Sequence, residues 1–225
     1  MTQPLQKATT HEEPVPTDRQ FSFEKAMIAQ REFSRLVNER SYLPKNILYV
    51  AGVDAAYTGQ LSFTASTLLD YRTLKSIEVQ LVRNLVKVPY RSGFLGFREA
   101  PAMIEAVERL KIKPDVVFVD GHGLAHPRGF GLACHVGVIL DAPTIGVAKS
   151  MFHGEAHEDR VLDKQGNRIA AIIKANRKIL YISIGNKISL DAAIQITKHC
   201  TLSNMPEPLK LAHHEATRMA RKMGA

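Results

Sequence analysis

Apolar residues at Ala26, Ala29, Phe33, Leu36 and Val37 recur at helical spacing and predict a helix from about Ser22 to Arg40. Residues 1–20 are polar and carry Pro4, Pro14 and Pro16, the composition of a flexible N-terminal tail, so residues 21–225 read as a single domain. Three strand-like runs follow the helix: Ile47–Tyr57, Leu61–Leu69 and Ser76–Val88, the first two joined by the turn-like Thr58-Gly59-Gln60. A helix is expected from Pro101 to Lys111, with the proline in its first turn. The pattern then alternates between a buried strand at Val116–Asp120, a helix at Gly131–Leu140 and a strand at Thr144–Ala148. Strands at Arg168–Ile173 and Ile179–Ser183 precede helices at Leu190–Cys200 and Pro208–Met223. In the last helix Ala212, Ala216, Met219, Ala220 and Met223 form a stripe that should face the core. His213 lies at its edge, and His214 points almost the opposite way, beside Arg218 and Arg221.

An antiparallel meander followed by strand–helix–strand units predicts an α/β fold with one mixed sheet flanked by helices. This element order is similar to that of the ribonuclease H-like fold, which by itself assigns no function. A chain of 225 residues with 45% hydrophobic and 23% charged residues can bury a full core. No apolar run approaches the ~20 residues that span a bilayer, so no membrane partner is expected. The polar start lacks a signal-peptide core, which predicts a cytoplasmic protein. Cys134 and Cys200 have no pairing motif and read as buried thiols. The net charge of +8 raises the expectation of a polyanionic partner without deciding it.

The chemistry concentrates at strand ends. Asp54 shares a strand face with Val50, Gly52 and Ala56, because side chains alternate with period two. A carboxylate inside an apolar strand costs on the order of several kcal/mol unless a cation or strong donors meet it. It is either a salt-bridged structural residue or a metal ligand. Asp120 ends the strand Val116–Asp120 and opens the loop Gly121-His122-Gly123. Carboxyl ends of strands are where open sheets bind ligands, although such an aspartate can also simply cap a turn. Together the two aspartates make an oxygen-rich site suited to magnesium or manganese. Glu99, expected just before a helix, is a third candidate ligand, its plainer role being helix N-terminal charge. Lys149 follows the strand Thr144–Ala148 and is either solvated or set to steady a phosphate or hydroxide beside the carboxylates. His122 with His126, and His153 with His157, have a spacing that raises zinc, but cysteine pairs are absent.

The segments Pro114–Arg128 (PDVVFVDGHGLAHPR) and Pro143–Ser150 (PTIGVAKS) resemble the signature segments of the endonuclease V family. Gly52-Val53-Asp54, Pro89-Tyr90 followed by Phe97-Arg98-Glu99, and Pro206-Glu207-Pro208 are similar again, in family order, from about Ser22 to the end. The resemblance implies a ribonuclease H-like fold. It also implies magnesium-dependent hydrolysis of the second phosphodiester 3′ to hypoxanthine in DNA, with RNA as a further candidate substrate, in nucleic-acid repair. By this resemblance Asp54 and Asp120 bind metal, with Glu99 kept as the third candidate ligand. Glu99, Lys149, His126 and His213 join the catalytic set, and manganese should substitute for magnesium. Tyr90 corresponds to a wedge that replaces the displaced base. Arg91, Gly121, Gly123 and Arg128 are expected to contact nucleic acid, the glycines by offering main-chain groups to a flipped base. A monomer is expected. Arg91-Ser92 departs from the family's Pro-Tyr-Ile-Pro wedge, and Ser183-Ile184-Gly185-Asn186 departs from its usual serine-proline-glycine segment. The alternatives are another ribonuclease H-like nuclease, acting on hybrids or junctions, and a non-catalytic nucleic-acid-binding module.

Overall fold

The computed structural model describes residues 21–224. The expected N-terminal tail lies outside the described residues. In chain order the elements are α1 (Phe23–Ser34), β1 (Tyr49–Thr58), β2 (Leu61–Asp70), β3 (Ser76–Leu85), α2 (Leu95–Glu108), β4 (Val116–Asp120), α3 (Leu132–Leu140) and β5 (Thr144–Ala148). They continue as β6 (Glu155–His157), β7 (Arg160–Leu162), β8 (Arg168–Ala175), β9 (Lys178–Asn186), α4 (Leu190–Cys200) and α5 (Glu207–Gly224). The strands form one nine-stranded sheet in the order β3-β2-β1-β4-β5-β9-β8-β7-β6. β1–β4 and β4–β5 pair in parallel, and the remaining neighbours are antiparallel. The expected mixed sheet is therefore present.

Both sheet faces are covered. One packs Val50, Phe118, Ile145 and Ile182 against residues of α4 and α5 such as Ile196 and Leu209. The other packs Val53, Val117 and Val119 against α2 and α3 through Met103 and Val136. Double coverage explains why β4 and β5 read as unbroken apolar runs rather than alternating ones. The start of α5 lies directly on β1, where any side chain at Gly52 would collide with the Pro208 backbone. Thr67 Oγ1 donates to Pro208 O at 2.8 Å and fixes the same contact from β2.

Several expected boundaries moved. Ser22 caps α1, its hydroxyl accepting from Lys25 N at 3.3 Å, but the helix ends at Ser34. The amides of Arg35, Leu36 and Val37 bond back only three residues, which tightens and ends the helix. Leu36 is exposed, so its helical spacing was incidental. α2 begins six residues before Pro101, which sits inside the helix rather than in its first turn. Burial of Ala100, Ala102, Met103, Ala106 and Val107 outweighs the interior proline, and Glu99 becomes a helical residue. β6 and β7 were not foreseen, since three-residue strands carry too little alternation to read. Met223 is exposed and leaves the α5 core stripe to Ala212, Ala216 and Ala220. Cys134 and Cys200 are buried free thiols, each pushed by burial up to about 12.

Candidate active site

The parallel register pairs Val53 of β1 with Val119 of β4, so Asp54 and Asp120 emerge side by side one residue further on. β5 lies beside β4 with Asp120 opposite Val147, which places Lys149 just beyond that end of the sheet. Lys149 Nζ is 2.6 Å from Asp120 Oδ2. From above, α5 supplies His213, whose Nδ1 is 2.7 Å from Asp54 Oδ2, and Ala55 N donates to Asp54 Oδ1 at 2.8 Å. Among the described residues, Asp54, Asp120 and His213 form the one cluster of potential metal ligands, with donor atoms all within 4.8 Å of one another.

Two carboxylates so placed repel, and the chain compensates only in part. Burial first, and then the Asp120 charge, raise the Asp54 carboxyl above the ordinary range, against the His213 hydrogen bond. Burial draws the Lys149 ammonium down, but the charge and hydrogen bond of Asp120 prevail and hold it above its usual value. Glu99 lies outside the three-residue cluster and accepts from the Tyr57 hydroxyl at 2.5 Å. Burial pushes Glu99 up to about 7, opposed by Tyr57 and assisted by the charges of Asp54 and Asp120. Arg98 stacks over the Tyr57 ring at 4.7 Å and donates to Val88 O at 2.6 Å. A divalent cation would relieve this crowding. Its donor set of two carboxylates and an imidazole suits a hard cation, the nitrogen favouring manganese more than magnesium would require.

A separate cleft of about 230 Å³ is lined in part by Tyr90, Gly93, Leu95, Gly96, His122 and Phe152. Loop 120–126 links it to the carboxylates, with Asp120 at the strand end and His122 and His126 in the cleft wall. The first residues of α2 and of α3 also line it, and neither helix has a side-chain N-cap. Backbone carbonyls take part of the donor set, Ala133 N donating to His122 O at 3.0 Å and Phe97 N to Phe94 O at 3.1 Å, while the helix N-termini keep a partial positive charge. Tyr90, 73% exposed, stands at the rim.

His126 is placed with the cleft wall and not with the carboxylates. Its Nε2 faces Gly93 O at 3.1 Å, and burial, then the Arg128 charge, lower its pKa to about 4. The amides of Gly121 and Gly123 are already used, by Val147 O at 3.0 Å and Ser183 Oγ at 2.8 Å. Gly123 is small because a side chain there would strike the Ile184 carbonyl, so its close approach is to β9. Arg91 lies over the Phe23 ring at 4.6 Å, and Arg128 binds Gln30. The rings of His122 and His126 each lie 5.5 Å from that of Phe152, with no third ligand beside them among the described residues. Sequence reasoning missed Tyr57, Gln30, Phe23 and Phe152. The sole signal for Gln30 was a polar residue one position from the apolar stripe of α1.

A mixed sheet that sets Asp54, within β1, beside Asp120, at the end of the parallel strand β4, with a helix-borne imidazole against them, has the architecture of a nuclease of ribonuclease H-like fold. The endonuclease V family profile matches residues 31–214. Endonuclease V of Ignicoccus hospitalis is 38% identical over 207 residues, covering 90% of this chain and 98% of that protein. The crystal structure of human ENDOV superposes with a TM-score of 0.84 at 28% identity, covering 91% of this chain and all of that one. Ciona intestinalis endonuclease V, solved with a 24mer DNA containing an inosine followed by a ribo-adenosine, gives a TM-score of 0.82 at 26% identity, covering 89% and 98%. The chain belongs to the endonuclease V family and is an endonuclease.

Proposed function

We propose that this chain hydrolyses the second phosphodiester 3′ to hypoxanthine in DNA, using magnesium, with manganese able to substitute, and that it acts as a cytoplasmic monomer in nucleic-acid repair. The observation that carries the reading is the ligand cluster Asp54, Asp120 and His213 joined by one short loop to a cleft the size of a single base. Drug-sized ligands take ~300–1,000 Å³, whereas this cleft suits one flat ring system. Asp54, Asp120 and His213 would hold the metal, with Glu99 as an outer carboxylate. When bound, a divalent ion polarises the phosphate and lowers the pKa of water. Lys149, through Asp120, is set to orient a phosphate oxygen at the same place. The partial positive charge at the N-termini of α2 and α3, whose first residues line the cleft, would suit the carbonyl oxygen of hypoxanthine, where adenine would present an amino donor. Tyr90 would fill the gap left by the flipped base, a stacking contact worth ~1–3 kcal/mol in single-strand binders.

The relative solved with a ribonucleotide after its inosine favours RNA as a second substrate. The test compares nicking of matched DNA and RNA strands carrying one inosine with an RNA–DNA hybrid and a four-way junction lacking it. Cleavage confined to inosine, lost with chelator and restored by magnesium, is expected. Preference for the hybrid or the junction would replace the proposal with another ribonuclease H-like activity. Binding without any cleavage would leave only a nucleic-acid-binding module.

A further inference from the structure

Gln30 is 2% exposed, a polar side chain sunk between α1 and the loop that carries Tyr90. Every part of its amide has a partner. Nε2 donates to Gly93 O at 3.0 Å and to Phe130 O at 3.1 Å, while Oε1 accepts from Arg128 Nε at 2.7 Å. Gly93 O also accepts from an Arg128 terminal nitrogen at 2.5 Å and faces His126 Nε2 at 3.1 Å. Because His126 Nδ1 accepts from Arg128 N at 3.2 Å, the ring proton sits on Nε2, which makes it a donor too. Three side chains therefore converge on one carbonyl. That carbonyl belongs to a glycine at φ 81°, in the left-handed region, between the wedge tyrosine and the helix whose first residues, Leu95 and Gly96, line the cleft.

A second contact comes from the same helix. Arg91 lies 4.6 Å over the Phe23 ring and 5.7 Å from that of Phe94, and the two rings meet edge-on at 5.1 Å. Where the family pattern has isoleucine and proline behind the tyrosine, this chain has Arg91 and Ser92, without the fixed backbone angle of proline. The guanidinium is docked on α1 instead, in an arrangement worth ~0.5–1 kcal/mol at exposed sites.

We infer that α1 is the positioning element of the wedge loop: Gln30 is a positioning residue that fixes the Gly93 peptide, and the Phe23–Arg91 stack supplies the stiffness that residues 91–92 lack. Arg91 is then an anchor of the loop, and its charge is directed at an aromatic ring of its own chain. The inference rests on reading Tyr90 and the cleft as the base-recognition site.

The experiment measures kcat and KM on inosine and matched adenosine strands, single-stranded and duplex, with the magnesium dependence and Tm of each variant. Gln30→Leu keeps the bulk and removes the amide. It should lower discrimination for inosine at least tenfold, with the loss mainly in KM and the magnesium concentration for half-maximal rate unchanged. Phe23→Leu should lower duplex cleavage several-fold in the wild-type background. It should have little effect in the Arg91→Ile with Ser92→Pro background, where proline stiffens the loop. This second comparison decides the matter if Gln30→Leu fails to fold. Equal losses in both backgrounds, or a folded Gln30→Leu that keeps its discrimination, overturns the inference while leaving inosine recognition intact. A wild-type enzyme with no preference for inosine overturns the functional reading itself, and the inference with it.

Discussion

Asp54 and Asp120 differ in what holds them, and the difference predicts distinct losses. Asp54 is braced by His213 and by the Ala55 amide, whereas Asp120 is tied to Lys149. Asp54→Asn and Asp120→Asn should each reduce cleavage at least ~100-fold, the loss of one charged ligand being worth several kcal/mol of transition-state stabilisation. Binding to an inosine strand, measured with calcium in place of magnesium, should persist, since phosphate and base contacts remain. Either variant cutting at near wild-type rate would remove the metal assignment. His213→Ala should raise the metal concentration needed for half-maximal rate about tenfold or more, as the loss of a ligand or of its orienting partner does. His213→Asp should recover most of it, because a carboxylate can replace the imidazole as a donor to a hard cation. Equal behaviour of the two variants would mean that the imidazole acts by packing alone. Asp54 and Asp120 were legible in the sequence because each is a carboxylate that interrupts or ends an apolar strand. Gln30 and Tyr57 were not, since their partners Gly93 and Glu99 lie 63 and 42 residues away and no local pattern announces such pairs.

At the scale of elements, β4, β5 and α4 fall where their apolar patterns predict, because each is long enough, buried enough and cleanly bounded. α2 does not, because tertiary burial of its alanines and Met103 overrode the proline as a start signal. α3 and the cleft loop carry a pH prediction. His135 of α3 sits 5.2 Å from Phe97 and 5.5 Å from Phe130, with Nδ1 buried and unpartnered, and burial lowers its pKa to about 4. His126 is lowered to a similar value, first by burial and then by Arg128. An unfolded histidine titrates near ~6.5, so between there and about 4 the unfolded chain binds protons that the native one refuses. The stability that the neutral rings contribute is thus complete above pH ~6.5 and is lost as the pH falls through that window. The loss is about 2–3 kcal/mol per ring by pH 4, at ~1.4 kcal/mol per pH unit. Denaturant unfolding at pH 7 and pH 4.5 measures it. In His135→Gln the difference between the two pH values should shrink by about 2 kcal/mol relative to wild type, and an unchanged difference would show that His135 takes up its proton in the native state.

Across the whole molecule, the charge of +8 acquires meaning from where the sheet directs it. β9 runs antiparallel to β5, and Tyr181 faces Ala148, so the β8–β9 hairpin continues three residues past the strand end that leads into Lys149. Its tip carries Lys174, Arg177 and Lys178, all exposed, at the same end of the sheet as Asp54 and Asp120. The paired carboxylates would otherwise repel a phosphate backbone, and cations flanking them offset that repulsion at a distance set by the Debye length, ~8 Å at physiological salt. Affinity for an inosine strand should therefore fall steeply with salt, each neutralised phosphate contributing a slope of ~0.7–0.9 in log K against log salt. Arg177→Ala combined with Lys178→Ala should reduce that slope by ~1.4–1.8 if both side chains reach phosphates. The ratio of affinities for inosine and adenosine strands should stay within about twofold, because the cleft that would read the base is built from other elements, α1, α2, α3 and loop 120–126. Titrations at four or five salt concentrations with both strands separate the two effects. An unchanged slope would place the phosphate contacts elsewhere on the surface, and a collapse of the ratio would mean that the hairpin takes part in reading the base.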